Sequence, residues 1–315
     1  MNAHVDFRDE SIASLFPLDL SGEVVALRAS IDAGRSGSGV YAVAGVAFTY
    51  GRAKRANKHW QRLMDGRTFH MTDLNAREGD FAGISDTDKD RIMRGIVEII
   101  RNNASHIVCT SYDDVLIAEK FPKDSNNVKA ADKFLYKAFK KQYGPMIHMC
   151  MWALGDFANG GTDTGNHISY VLEAGDDGQG GFIEYIHNLL KRSKSHPVYK
   201  YVLEQYSLSR LVATPKEEME GIFHAADFVA WEWARHIEDR RKKLPVRKSF
   251  EALTNKIPAA EDYYGFTLGD RSKLFCRHYA EKHANRLVKF LRETAEAKSE
   301  ADLQAANAHW AETRF

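Results

Sequence analysis

Residues 24–48 read V-V-A-L-R-A-S-I-D-A-G-R-S-G-S-G-V-Y-A-V-A-G-V-A-F, and the fold depends on how this stretch pairs with itself. In its first arm Val25, Leu27, Ala29 and Ile31 alternate with Arg28, Ser30 and Asp32. That period of two sends the apolar set to one face of a strand and the polar set to the other. The second arm, Val40 to Phe48, is apolar at both parities, as expected of a strand covered on both faces. The two arms predict a β-hairpin that turns through the glycines at 34, 37 and 39. Asp32 then ends a buried strand on its polar side. A carboxylate so close to a sheet core needs a partner. Two partners suit the sequence: a backbone amide of the Gly-rich turn, through an Asx-type hydrogen bond, or a metal ion.

Composition sets limits around this hairpin. The 315 residues are 44% hydrophobic and 28% charged, enough apolar material for a sizeable core. The three cysteines, Cys109, Cys150 and Cys276, are far apart and contain no C-x-x-C pair. They read as reduced thiols in a cytoplasmic protein rather than as bridges or a zinc site. The N-terminus M-N-A-H-V-D-F-R-D-E lacks the basic and apolar regions of a signal segment. No run approaches the roughly 18 apolar residues of a membrane span. A net charge of +1 does not announce a polyanion partner, so any nucleic-acid contact must come from local basic patches.

Two such patches exist. Arg52, Lys54, Arg55, Lys58 and Arg62 lie on a helix whose inner side carries Trp60, Leu63 and Met64, and Arg240, Arg241, Lys242, Lys243, Arg247 and Lys248 crowd the stretch after Asp239. Each is either a solvated face or an approach surface for nucleic acid. Between them the chain alternates strands and helices. Asp86 to Asn102 is an amphipathic helix opened by aspartates, followed by the strand S-H-I-V-C-T-S-Y. A helical, aromatic-rich insertion spans about 115–165. I-S-Y-V-L-E at 168–173 is a second strand ending in a carboxylate, Glu173, before a Gly-rich loop. A helix from Gly180 to Lys194 and a short strand L-S-R-L-V-A-T, stopped by Pro215, come next. Asp270 to Leu291 reads as a further amphipathic helix. Glu293 to Phe315 reads as a helical tail, either solvent-facing or a contact with a second copy of the chain.

The residues that could carry chemistry are acidic. Asp32 and Glu173 end strands. In F-H-M-T-D, Asp73 is an N-cap or a ligand, and His70, three residues earlier, is close enough to line the same pocket. In H-A-A-D-F-V-A-W-E, Asp227 lies in the helical row Phe223, Asp227, Ala230, Ala234, whose small side chains let the helix approach a sheet closely. Hard oxygen ligands at strand ends suit Mg²⁺ or Mn²⁺. A pair of such ions about 4 Å apart activates water and stabilises the leaving oxygen of a phosphodiester. No P-loop, dinucleotide-binding, nucleophile-elbow or zinc-helix motif competes with this reading.

Four blocks in this order, I-D-A-G-R-S-G with V-Y-A-V-A-G-V, F-H-M-T-D, Y-V-L-E-A-G-D and H-A-A-D-F-V-A-W-E, resemble the domain-of-unknown-function 3800 family of the ribonuclease-H-like superfamily. The resemblance covers roughly Val24 to Asp239. The chain departs from the family's usual Glu at Ala33, which leaves Asp32 as the acid of the first strand. The resemblance implies an α/β fold, a ribonuclease-H-like mixed sheet flanked by helices with the acids gathered over its centre. It also implies metal-dependent nuclease chemistry and a role in defence against foreign genetic elements. On this expectation residues 1–240 form the domain, and 241–315 a basic linker and C-terminal helical extension packed on it. Asp32, Glu173 and Asp227 bind Mg²⁺ or Mn²⁺, Asp73 binds or orients, and His70 assists proton transfer. The alternative, motivated by Ala33, is an inactive module that keeps the fold and binds nucleic acid or protein.

Overall fold

The computed structural model describes residues 27–113 except 36 and 38, then 143–159, 167–175, 179–194, 197–219, 221–254, 263–268, 272–279, 301, 302 and 305. Its strands are β1 (Leu27–Arg35), β2 (Val40–Thr49), β3 (His106–Asp113), β4 (Ile168–Glu173), β5 (Leu208–Thr214), β6 (Tyr263–Leu268) and β7 (Ser272–Tyr279). They form one mixed sheet in the order β5-β4-β1-β2-β3-β7-β6. Its helices are α1 (Tyr50–Met64), α2 (Met71–Ala76), α3 (Asp86–Asn103), α4 (Tyr143–Asn159), α5 (Gln179–Arg192), α6 (Pro197–Gln205), α7 (Ala225–Arg241) and α8 (Lys248–Thr254).

The opening hairpin forms as its alternation requires. β1 pairs antiparallel with β2, Asp32 opposite Ala44, and parallel with β4, Ile31 beside Leu172. Leu27, Ala29 and Ile31 enter the apolar layer under α4, α5 and α6, whereas β2 contributes to both layers: Val43 and Ala47 to this one, Ala44, Val46 and Phe48 to the layer under α1, α3 and α7. β4 in turn pairs parallel with β5, Glu173 beside Thr214. The carboxyl ends of β1, β4 and β5 therefore lie at one end of the sheet, the position where open parallel sheets place their ligands.

α7 crosses the α1 face of the sheet. A Cβ added at Gly34 would come within 3.2 Å of the Ala230 and Trp231 backbone, so the small-residue row of α7 does let it settle on β1. α4 covers the opposite face just as closely, since a Cβ at Gly45 would lie 2.8 Å from Cys150 Sγ. Gly144 and Pro145 lie at the start of the described part of α4. The remainder of the expected 115–165 insertion lies largely outside the described residues.

The region after residue 240 departs from expectation. Of the helix expected from Asp270 to Leu291, the described part is strand β7, which pairs parallel with β3 and antiparallel with β6. β3 and β6 offer it backbone partners on both sides, and Phe275 and Tyr279 suit a strand. Within the segment set apart as a helical extension, β6 and β7 thus join the sheet, and α8 is helical as expected. The tail expected from Glu293 lies outside the described residues except for 301, 302 and 305, which are helical. Among the described residues no helix is long and apolar enough to cross a membrane.

Candidate functional site

Three carboxylates meet at the carboxyl ends of the parallel strands. Asp32 comes from β1, Glu173 from the last residue of β4, and Asp227 from the first turn of α7. The group at their centre is the ammonium of Lys216. Its Nζ lies 2.8 Å from Glu173 Oε2, 3.1 Å from Asp227 Oδ2 and 3.9 Å from Asp32 Oδ2. Burial works against charge on this amine, yet Asp227, Asp32 and Glu173 together hold its pKa well above the usual lysine range. It is a cation throughout the physiological range.

Backbone positions the cluster. Asp32 Oδ1 accepts the Ala33 amide at 2.7 Å, which fixes the carboxylate three residues before the end of β1. Asp227 Oδ2 accepts the Met71 amide at 3.0 Å, tying α7 to the start of α2. Lys216 opens a single 3₁₀ turn, Lys216–Glu218, directly after Pro215 at the end of β5. Asp32, Asp227 and Lys216 are nearly enclosed, their side chains 8%, 7% and 11% exposed, and Glu173 at 20% and His70 at 43% form the open side.

Two histidines flank the acids. His70 precedes α2 in the N-cap position, and its Nδ1 lies 3.6 Å from Asp227 Oδ2, an ion-pair distance only when the ring is protonated. His224, the basic neighbour of Asp227 in sequence, is buried, and that burial, reinforced by Lys216, lowers its pKa to about 4. It is neutral at pH 7 and offsets none of the acidic charge. His70 Nδ1 and His224 Nδ1 are buried without a hydrogen bond among the described residues, whereas Glu173 Oε2 is held by the Lys216 ammonium at 2.8 Å. Buried polar atoms without partners are uncommon and costly, and two of them flank Asp227 here.

Asp73 does not join this cluster. It is the third residue of α2 rather than its N-cap, and its Oδ2 lies against Gly79, 2.8 Å from where a Cβ would stand. Ala33 packs toward the α4 layer, on the side of the sheet away from Asp32, so a longer acid in a regular strand there would face the other layer. The sequence reading missed Lys216. The signal was the T-P-K step, which puts Lys216 just past the end of a strand.

The donor set fits a divalent cation in kind: three carboxylates and an unpartnered imidazole nitrogen around an enclosed, partly open point. Among the described residues no three of these side chains already form a metal cage, and Lys216 Nζ takes the central place.

The expected approach surface is described in part. Lys54, Arg55, Lys58 and Arg62 are exposed on α1, with Arg55 Nε donating to Asn103 Oδ1 at 3.1 Å. Arg240 to Lys243 are exposed at the end of α7, Lys242 pairing with Glu238 at 2.6 Å. Arg247 is engaged elsewhere: it pairs with the fully buried Glu232 at 3.3 Å and lies over the Trp231 ring. The sequence matches no family model and no curated protein.

Proposed function

We propose that this chain is a divalent-metal-dependent phosphodiesterase acting on nucleic acid, built on a ribonuclease-H-like sheet. The observation that carries the reading is the convergence of Asp32, Glu173 and Asp227, from three separate elements, around one cation at the carboxyl ends of β1, β4 and β5. Residues far apart in sequence do not gather buried like charges without a task that offsets the cost.

Asp32, Glu173 and Asp227 would hold Mg²⁺ or Mn²⁺. When bound, such an ion activates a water for attack and stabilises the leaving oxygen of a phosphodiester. The protein's own groups do the remaining work. The Met71 amide holds Asp227 in place, and Ala33 N–H does the same for Asp32. His70, partly exposed and with Nδ1 3.6 Å from Asp227 Oδ2, would assist proton transfer. Exposed cations of α1 and of the segment after α7 would receive the phosphate backbone.

A second reading has one observation in its favour. Lys216 already offsets part of the acidic charge, as it would in a module that binds nucleic acid or protein without catalysis. Labelled RNA and DNA, single- and double-stranded, incubated with Mg²⁺, Mn²⁺ or chelator decide between the two. Cleavage that needs the metal and disappears in Asp227→Asn is the expected result. Binding without cleavage in any metal establishes the module instead.

A further inference from the structure

Glu173 and Asp227 alone set two carboxylates against the single ammonium of Lys216, and Asp32 Oδ2 stands 3.9 Å away on the third side. The amine lies where these oxygens converge. Any cation that binds all three must approach the same point. A lysine reaches it through four flexible carbons, and the turn that carries it is one short 3₁₀ step, held by Met219 N–H donating to the Lys216 carbonyl at 3.2 Å. Its side chain keeps an edge on solvent at 11% exposure, beside the more open Glu173. The amine therefore has a route outward that leaves β5 and α7 in place.

We propose that Lys216 is the resident counter-ion of the acidic site and competes with a divalent cation for Asp32, Glu173 and Asp227. This rests on the reading of those acids as metal ligands. Without a divalent ion, the ammonium keeps the carboxylates from repelling one another and preserves their geometry. When the ion enters, the ammonium withdraws to the open side, where it meets the substrate's phosphate. Occupancy by metal and release of Lys216 are thus one event. Neutralising Lys216 removes the competitor and leaves the oxygens.

Calorimetric titration with MnCl₂ tests this on the full-length protein and on Lys216→Met and Lys216→Gln. Both variants are expected to bind Mn²⁺ about tenfold more tightly than wild type, because a unit charge within 4 Å of the site opposes the incoming ion. In metal-free buffer they should melt at lower temperature than wild type, and excess Mn²⁺ should raise their melting point more than that of wild type. A further measurement needs no variant. Reductive methylation followed by mass spectrometry should find Lys216 protected without divalent ion and reactive with Mn²⁺. If wild type binds Mn²⁺ but the variants bind it no more tightly, or Lys216 stays protected when Mn²⁺ is bound, the competition is overturned and the metal-site reading stands. If neither wild type nor variants bind Mn²⁺, the metal-site reading fails and the competition fails with it.

Discussion

One oxygen of Asp227 has three neighbours: the Met71 amide at 3.0 Å, Lys216 Nζ at 3.1 Å and His70 Nδ1 at 3.6 Å. The sequence shows no cation for this carboxylate within a helical turn except His224, which the fold keeps neutral; the counter-charge arrives from a strand end eleven residues upstream. Asp227→Asn keeps an oxygen for the Met71 amide and removes the charge. Two effects on stability then oppose each other, the loss of a partly buried ion pair and the relief of repulsion with Glu173 and Asp32. The expected net change is about 1 kcal/mol or less. Metal-dependent cleavage, by contrast, should fall at least about a hundredfold, since a ligand charge is gone. Asp73→Asn should lower activity far less, its carboxylate lying against Gly79 and not against Lys216. Parallel cleavage assays on the two variants check both statements, and equal losses would mean that Asp73 belongs to the working site.

The elements that carry the acids could be read from the sequence because each has a short-range signature. Alternation places Glu173 at the end of β4 and Asp32 on the polar face of β1, which runs on to Arg35 beyond the expected end at Asp32, and the small-residue row of α7 sets that helix close on β1 at Gly34. Lys216 and β7 had no such signature. Lys216 acquires its meaning only when β5 lies beside β4, a contact between residues about forty apart, and β7 is a strand because β3 and β6 offer it backbone partners. The close packing of α4 on α6 was equally illegible, and Gly155 is its point of contact. A Cβ there would lie 1.9 Å from the Gln205 carbonyl oxygen, so α4 and the end of α6 cannot keep their present approach. Gly155→Ala should destabilise the fold by about 2 kcal/mol, read from denaturant unfolding. No loss would mean that α4 slides freely. On α1, replacing Lys54, Arg55 and Lys58 by Ser should reduce the slope of nucleic-acid affinity against salt by up to about three counterions. An unchanged slope would make that face merely solvated.

Across the whole molecule the sheet separates two unlike layers. The layer under α1, α3 and α7 holds the charged site, and the layer under α4, α5 and α6 is apolar around a few enclosed polar groups. His148 is the clearest of these: fully buried on α4, its Nδ1 against the Tyr206 hydroxyl and its ring tilted over Trp152. Burial lowers its pKa to about 3, so the folded protein keeps it neutral at pH values where the unfolded chain, titrating near 6.5, takes up a proton. The unfolded state therefore binds more protons between these values. The stability from a neutral His148 is complete above about pH 6.5 and is lost as pH falls below it, by about 1.4 kcal/mol per pH unit. His236 on α7, lowered to about 4 by burial and by Arg240, adds a loss of the same sign. His148→Gln removes one of these titrations and keeps a side chain able to bond the Tyr206 hydroxyl. Urea unfolding at pH 7 and pH 5 should show that wild type loses about 2 kcal/mol more than the variant over this interval, with His236 contributing equally to both. Equal losses would mean that the His148 ring already accepts a proton in the folded state, and that the α4 layer admits water to it.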